Sequence, residues 1–86
     1  MDAQTIDAAL SNPVRRKIIV CLGTHAKTVS DLCAVCTLSQ SAVSQHLMKL
    51  RAVGAVTSTV HGRERLYRVA DRRLVSICRT IASLTT

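Results

Sequence analysis

Aromatic side chains are almost missing from this sequence: Tyr67 stands alone among 86 residues, with no Trp and no Phe. A core without large rings must be built from Leu, Ile, Val, Ala and Cys, and a chain this short sits near the lower limit of self-sufficient folding. Such a core gains stability from a second copy that buries what one copy leaves wet. Acidic residues are scarce too, five against twelve Lys and Arg, for a net charge of +7. That imbalance favours a polyanionic partner, either nucleic acid or an acidic membrane surface. Long apolar runs are also missing, which excludes a membrane-spanning segment. The opening "MDAQTIDAAL" has neither the basic start nor the apolar stretch of a secretion signal. A cytoplasmic protein is therefore expected, with Cys21, Cys33, Cys36 and Cys78 as resting thiols rather than structural disulfides. With no low-complexity tract, repeat or Pro/Gly-rich linker, residues 1–86 read as one domain.

What is present is well punctuated. A short helix over roughly 3–10 carries Ile6, Ala9 and Leu10 on one side. Asn12-Pro13 starts a second, Asn as N-cap and Pro at the first helical position, with Val14, Ile18, Cys21 and Leu22 on one face before Gly23. "THAKT" reads as a loop, after which Ser30 is the expected cap of a helix with Val29, Leu32, Cys33 and Cys36 on one face. Ser39 caps the next helix, which runs to Val53 and stops at Gly54. Two helices joined by a turn of about three residues have helix-turn-helix spacing. "AVTSTV", "HGRE" and "RLYRV" then alternate as a β-hairpin, and Asp71 caps a last helix with Leu74, Ile77, Cys78 and Ile81 facing inward. The expected fold is mainly α with one hairpin, in the order α-α-α-α-β-β-α. That is a winged helix-turn-helix, with the helix-turn-helix near 30–53 and the wing near 55–69.

The 39–53 helix carries the functional argument. Val43, Leu47 and Leu50 share a narrow arc that must face the core, and Ser44, Met48, Ser41, Gln45 and Lys49 occupy the opposite arc. Serine is a weak helix former, so a row of hydroxyls and amides here is a poor choice for stability alone. Gln bonds bidentately to adenine, and a serine hydroxyl meets either a base edge or a phosphate. General attraction to the duplex then falls to Lys49 and Arg51 and to the hairpin's Arg63 and Arg65. His46, beside the core arc, reads as a hydrogen-bonded boundary residue or a phosphate contact rather than a metal ligand. The plain alternative is a neutral solvated surface. No nucleophile, base and orienting group come together, and the three histidines lie in separate elements, so no enzyme is expected.

Over residues 12 to about 84 the sequence resembles the ArsR/SmtB family of winged-helix repressors. The residues that carry the likeness are "NPVRRKIIVCL" and "DLCAVCTLSQSAVSQHLMKLRAVGAVTSTVHGRERLYRVAD". The resemblance implies a homodimer whose first and last helices form the interface, released from a palindromic operator on double-stranded DNA by a metal, metalloid or sulfur signal. It implies DNA contacts at Gln40, Ser41, Ser44 and Gln45 and a wing at "HGRER". The zinc site of some members, Asp and His on the last helix, has no counterpart in "DRRLVSICRTIASL". Arsenic and lead sensors carry Cys-x-Cys before the recognition helix, whereas "CAVC" is Cys-x-x-Cys. Cys33 matches the first ligand and Cys36 lies one position off, near enough to hold a soft ion such as As(III). No cofactor is required.

The HlyU/BigR-like sulfur and redox branch looks most similar overall. There a cysteine at the position of Cys21 pairs with one near the position of Thr86. Cys78 lies about two helical turns earlier, about 11 Å away, too far for a disulfide to stretch. Any single buried cysteine is also well explained as a small hydrophobe. Three functions remain open from the sequence: a dimeric repressor released by thiol chemistry or a metalloid, the same regulator without a sensor, and a winged-helix module that binds an acidic protein.

Overall fold

Local chemistry sets each boundary in the computed structural model, which describes residues 1–85. Helix α1 (Ala3–Leu10) begins at Asp2, whose carboxylate accepts from the Thr5 amide. Helix α2 (Pro13–Leu22) begins at Asn12, which accepts from the amides of Val14 and Arg15, and it ends at Gly23 with φ 58°. The Lys27 ammonium donates to the carbonyls of Cys21 and Leu22 at 2.6 and 3.2 Å, closing the same helix end.

Helix α3 (Val29–Cys36) is capped by Thr28 and not by Ser30. Thr28 forms a reciprocal capping box with Asp31, so Ser30 lies one residue inside the helix with its side chain exposed. Thr37 closes α3 in the left-handed region, at φ 55° and ψ 40°. Leu38 and Ser39 complete the turn, and Ser39 caps helix α4 (Gln40–Ala52) through the Ala42 amide.

Strands β1 (Val56–His61) and β2 (Glu64–Val69) pair antiparallel, with Val56 opposite Val69 and His61 opposite Glu64. The connection is Gly62-Arg63. Gly62 has φ 65° while Arg63 stays at negative φ, the pattern of a type II′ turn. The loop read from the sequence as "THAKT" is partly ordered by the sheet, because Lys27 exchanges both backbone hydrogen bonds with Tyr67 at 2.9 and 2.8 Å. Helix α5 (Arg72–Leu84) starts at Asp71, as expected.

The five helices and the hairpin form a winged helix-turn-helix. Its core is aliphatic: Ile18, Ile19 and Leu22 of α2 meet Leu32 and Cys36 of α3, Val43, Leu47 and Leu50 of α4, and Leu74, Val75 and Cys78 of α5. On α5 the buried set departs from expectation, since Val75 is inside while Ile77 is 42% exposed and Ile81 is half-buried. The helix packs on the core through one edge of its apolar face and leaves the other edge open. Ile6 of α1 and Leu84 of α5 are exposed as well. Thr5, the buried polar residue among those described, sends its hydroxyl to the Val53 carbonyl and so ties α1 to the end of α4.

Candidate nucleic-acid interface

Three buried side chains, Val43, Leu47 and Leu50, seat α4 on the core and fix which way its other face points. Gln40, Ser41, Ser44, Gln45, Met48, Lys49 and Arg51 are all exposed. Within the described residues no side chain or carbonyl takes up the hydroxyls of Ser41 and Ser44 or the amides of Gln40 and Gln45, so these groups are free for an outside partner. Helix α4 holds no acid, and Lys49 and Arg51 add two cations to its last turn.

The rest of the chain keeps its few carboxylates out of the way. Asp2, Asp31 and Asp71 each cap a helix start. Asp71 is held down at about 2 by the Arg73 side chain and amide, and the hydrogen bond from the Thr5 amide holds Asp2 below its ordinary value. Only Asp7 and Glu64 remain uncommitted to caps, so the cations are left largely uncompensated.

On the hairpin, Arg63 stands exposed at the tip. Arg65 donates to the Ser58 hydroxyl at 3.1 Å, and Arg68 donates to the Thr24 carbonyl at 3.2 Å. Arg65 also lines a cleft of about 200 Å³ with Thr28, Val29, Ser30, Glu64 and Tyr67, which joins the wing to the start of α3. Sequence reasoning missed that junction. Its signal was available, because Thr28-x-x-Asp31 ahead of an apolar run marks a helix start whose amides face outward.

His46 occupies the boundary between these faces, half-buried. The expected hydrogen bond is not there: its Nδ1 is buried without a partner among the described residues. Burial, then the nearby Arg15 guanidinium and Lys49 ammonium, lower its pKa.

Cys21 lies between two other cysteines, Cys36 of α3 and Cys78 of α5. Cys36, at the end of α3, has Cys21 of α2 as a neighbouring thiol. Burial, then that neighbour, push the Cys36 thiol up to about 12. Cys21 is half-buried and also lines a groove of about 370 Å³ between α2 and α5, where Arg16, Lys17 and Cys78 lie along the same walls. Cys78 is buried, and its thiol is raised by burial. Cys33 is half-buried on the same helix as Cys36. Among the described residues no group of three or more His, Cys, Asp or Glu is placed to hold a metal ion. The position at Thr86 lies outside the described residues.

Comparison with known proteins places this geometry. A family model described as "Bacterial regulatory protein, arsR family" matches residues 12–58. "HTH-type transcriptional repressor SmtB" of Mycobacterium tuberculosis is 44% identical over 69 residues, covering 80% of this chain and 51% of that protein. "HTH-type transcriptional regulator CmtR" of the same species is 39% identical over 66 residues, 77% of this chain and 56% of that one. The chain thus spans about half the length of the curated relatives it matches. The crystal structure of the regulator HlyU from Vibrio vulnificus superposes with a TM-score of 0.79 at 32% identity, over 98% of this chain and 88% of that one.

Proposed function

The chain belongs to the arsR family of bacterial regulatory proteins, and from that premise we propose that it represses transcription as a homodimer that reads operator DNA through α4. The observation that carries this reading is the exposed face of α4. It presents uncharged hydrogen-bonding groups with no partner among the described residues, on a helix without acids, flanked by Lys49, Arg51, Arg63 and Arg65. Short neutral side chains let a helix enter the major groove deeply, and the surrounding cations supply the salt-dependent attraction to phosphate. Outward-facing Ile6, Ile77 and Leu84 on α1 and α5 supply apolar surface for a second copy. A twofold dimer would then set two copies of α4 about one DNA turn apart on a palindromic site. Selection from random duplexes, followed by binding to the selected site against scrambled competitor, tests the reading. Equal affinity for both sequences would exclude it.

Release by thiol oxidation, persulfidation or a thiophilic ion such as As(III) forms the second half of the proposal. Its support is the placing of Cys21 and Cys78 on the α2/α5 groove and of Cys36 at the residue that leads into the turn before α4. A change in covalent state there acts on a segment whose orientation sets that of α4. Operator affinity under reductant, peroxide, sulfide donor and arsenite measures it. A response that survives Cys21→Ser would remove Cys21 from the role.

A sensorless regulator is the second reading. It is favoured by the burial that raises the Cys36 and Cys78 thiols and so makes them poor nucleophiles at neutral pH. Operator binding unchanged by every thiol reagent would decide for it.

A further inference from the structure

Met48 does not match its surroundings. It is an unbranched apolar side chain, 70% exposed, on the one helix face otherwise given to hydroxyls, amides and cations. At 100° per residue it lies about 40° from Ser44 and about 20° from Ser41, inside the arc that those residues and Gln45 define. Its Cα is about 4.5 Å along the helix axis from that of Gln45, close to one base-pair step of about 3.4 Å. None of the core residues covers it, because Val43, Leu47 and Leu50 occupy the opposite side.

We infer that Met48 is a specificity-determining residue that reads the C5 methyl group of a thymine beside the base met by Gln45. This rests on the reading of α4 as a DNA-binding helix. The argument is one of matching chemistry. The edges of the four bases in the major groove are hydrogen-bonding groups with one apolar exception, the thymine methyl. Ser41, Ser44 and Gln45 cannot gain from that group, whereas a flexible thioether can cover it and leave water as it does so. A polar base edge at the same place would instead lose its hydration to Met48 without a bond in return. Met48 therefore favours thymine over cytosine, which carries only a hydrogen at C5 and sets an amino group on the adjoining C4.

The test uses a site selected by the wild-type chain from random duplexes. Each thymine is replaced in turn by deoxyuridine, which removes the methyl and keeps every hydrogen-bonding group. One position in each half-site should weaken wild-type binding about fourfold, the value of one buried methyl-sized group. Met48→Ala, at an exposed position that leaves the core untouched, should bind thymine and uracil at that position equally. Wild-type indifference to uracil at every position would overturn the inference, and so would a Met48→Ala variant that still discriminates. A selection that yields no preferred sequence would overturn the DNA-reading proposal itself. A preferred sequence bound equally with thymine or uracil would overturn only the role of Met48.

Discussion

Gln45 and Arg63 are both exposed and both polar, yet they should fail differently. Gln45→Ala removes a group suited to adenine and should reduce discrimination between operator and scrambled DNA by about 1–3 kcal/mol. Arg63→Ala removes a cation from the hairpin tip and should weaken both sequences alike, lowering the slope of log affinity against log salt by about one. Titrations of each variant on both duplexes at several salt concentrations separate the two, and parallel losses for both variants would contradict the division. Asp71 supplies a pH test. Its carboxyl falls from an ordinary 3.8 to about 2 beside Arg73 in the folded chain, so its charge stabilises the fold above pH 3.8. That contribution disappears as pH falls through 2. Asp71→Asn keeps a good helix cap without the charge, so its melting temperature should lie below wild type at neutral pH and converge with it near pH 2.

At the scale of elements, Thr37 marks the joint between α3 and α4. A β-branched residue at φ 55° carries a steric cost that glycine avoids. Thr37→Gly should stabilise the chain by about 0.5–1 kcal/mol in urea denaturation, and a loss of stability would show that the Thr37 hydroxyl bond to Cys36 outweighs the strain. Most elements were legible in the sequence because their ends are chemically marked. Asn12-Pro13, Ser39, Gly54 and Asp71 each stand at a boundary in the structure. Ser30 misled because two hydroxyls precede the same apolar run, and the reciprocal bond from Asp31 selects Thr28. The Lys27–Tyr67 bridge left no trace because one residue has no period. Spacing placed Cys33 and Cys36 on one helix, but the approach of Cys36 to Cys21 joins two helices, and no periodicity encodes that. The outward arc of α4 was legible for the opposite reason, since one helix and its own 3.6-residue period contain it.

At the scale of the molecule, the incomplete burial of α1 and α5 bears on assembly. Ile77→Lys places a charge on the exposed edge of α5 without entering the core. Sedimentation should show the proposed homodimer shifted to monomer, with affinity for the selected operator falling as two half-site contacts become independent. An unchanged dimer would move the interface elsewhere.

Thr5 makes α1 more than a cover. Its hydroxyl grips the carbonyl at the end of α4, so a displacement of α1 is felt at the far end of the helix that faces outward with Ser41, Ser44 and Gln45. Thr5→Val keeps the shape and leaves that carbonyl unpaired, which should cost about 1–3 kcal/mol of stability. A variant that still dimerises but holds its operator more loosely would show a mechanical link running through one bond. How firmly a second copy grasps α1 would then set how steadily the chain holds its place among the bases.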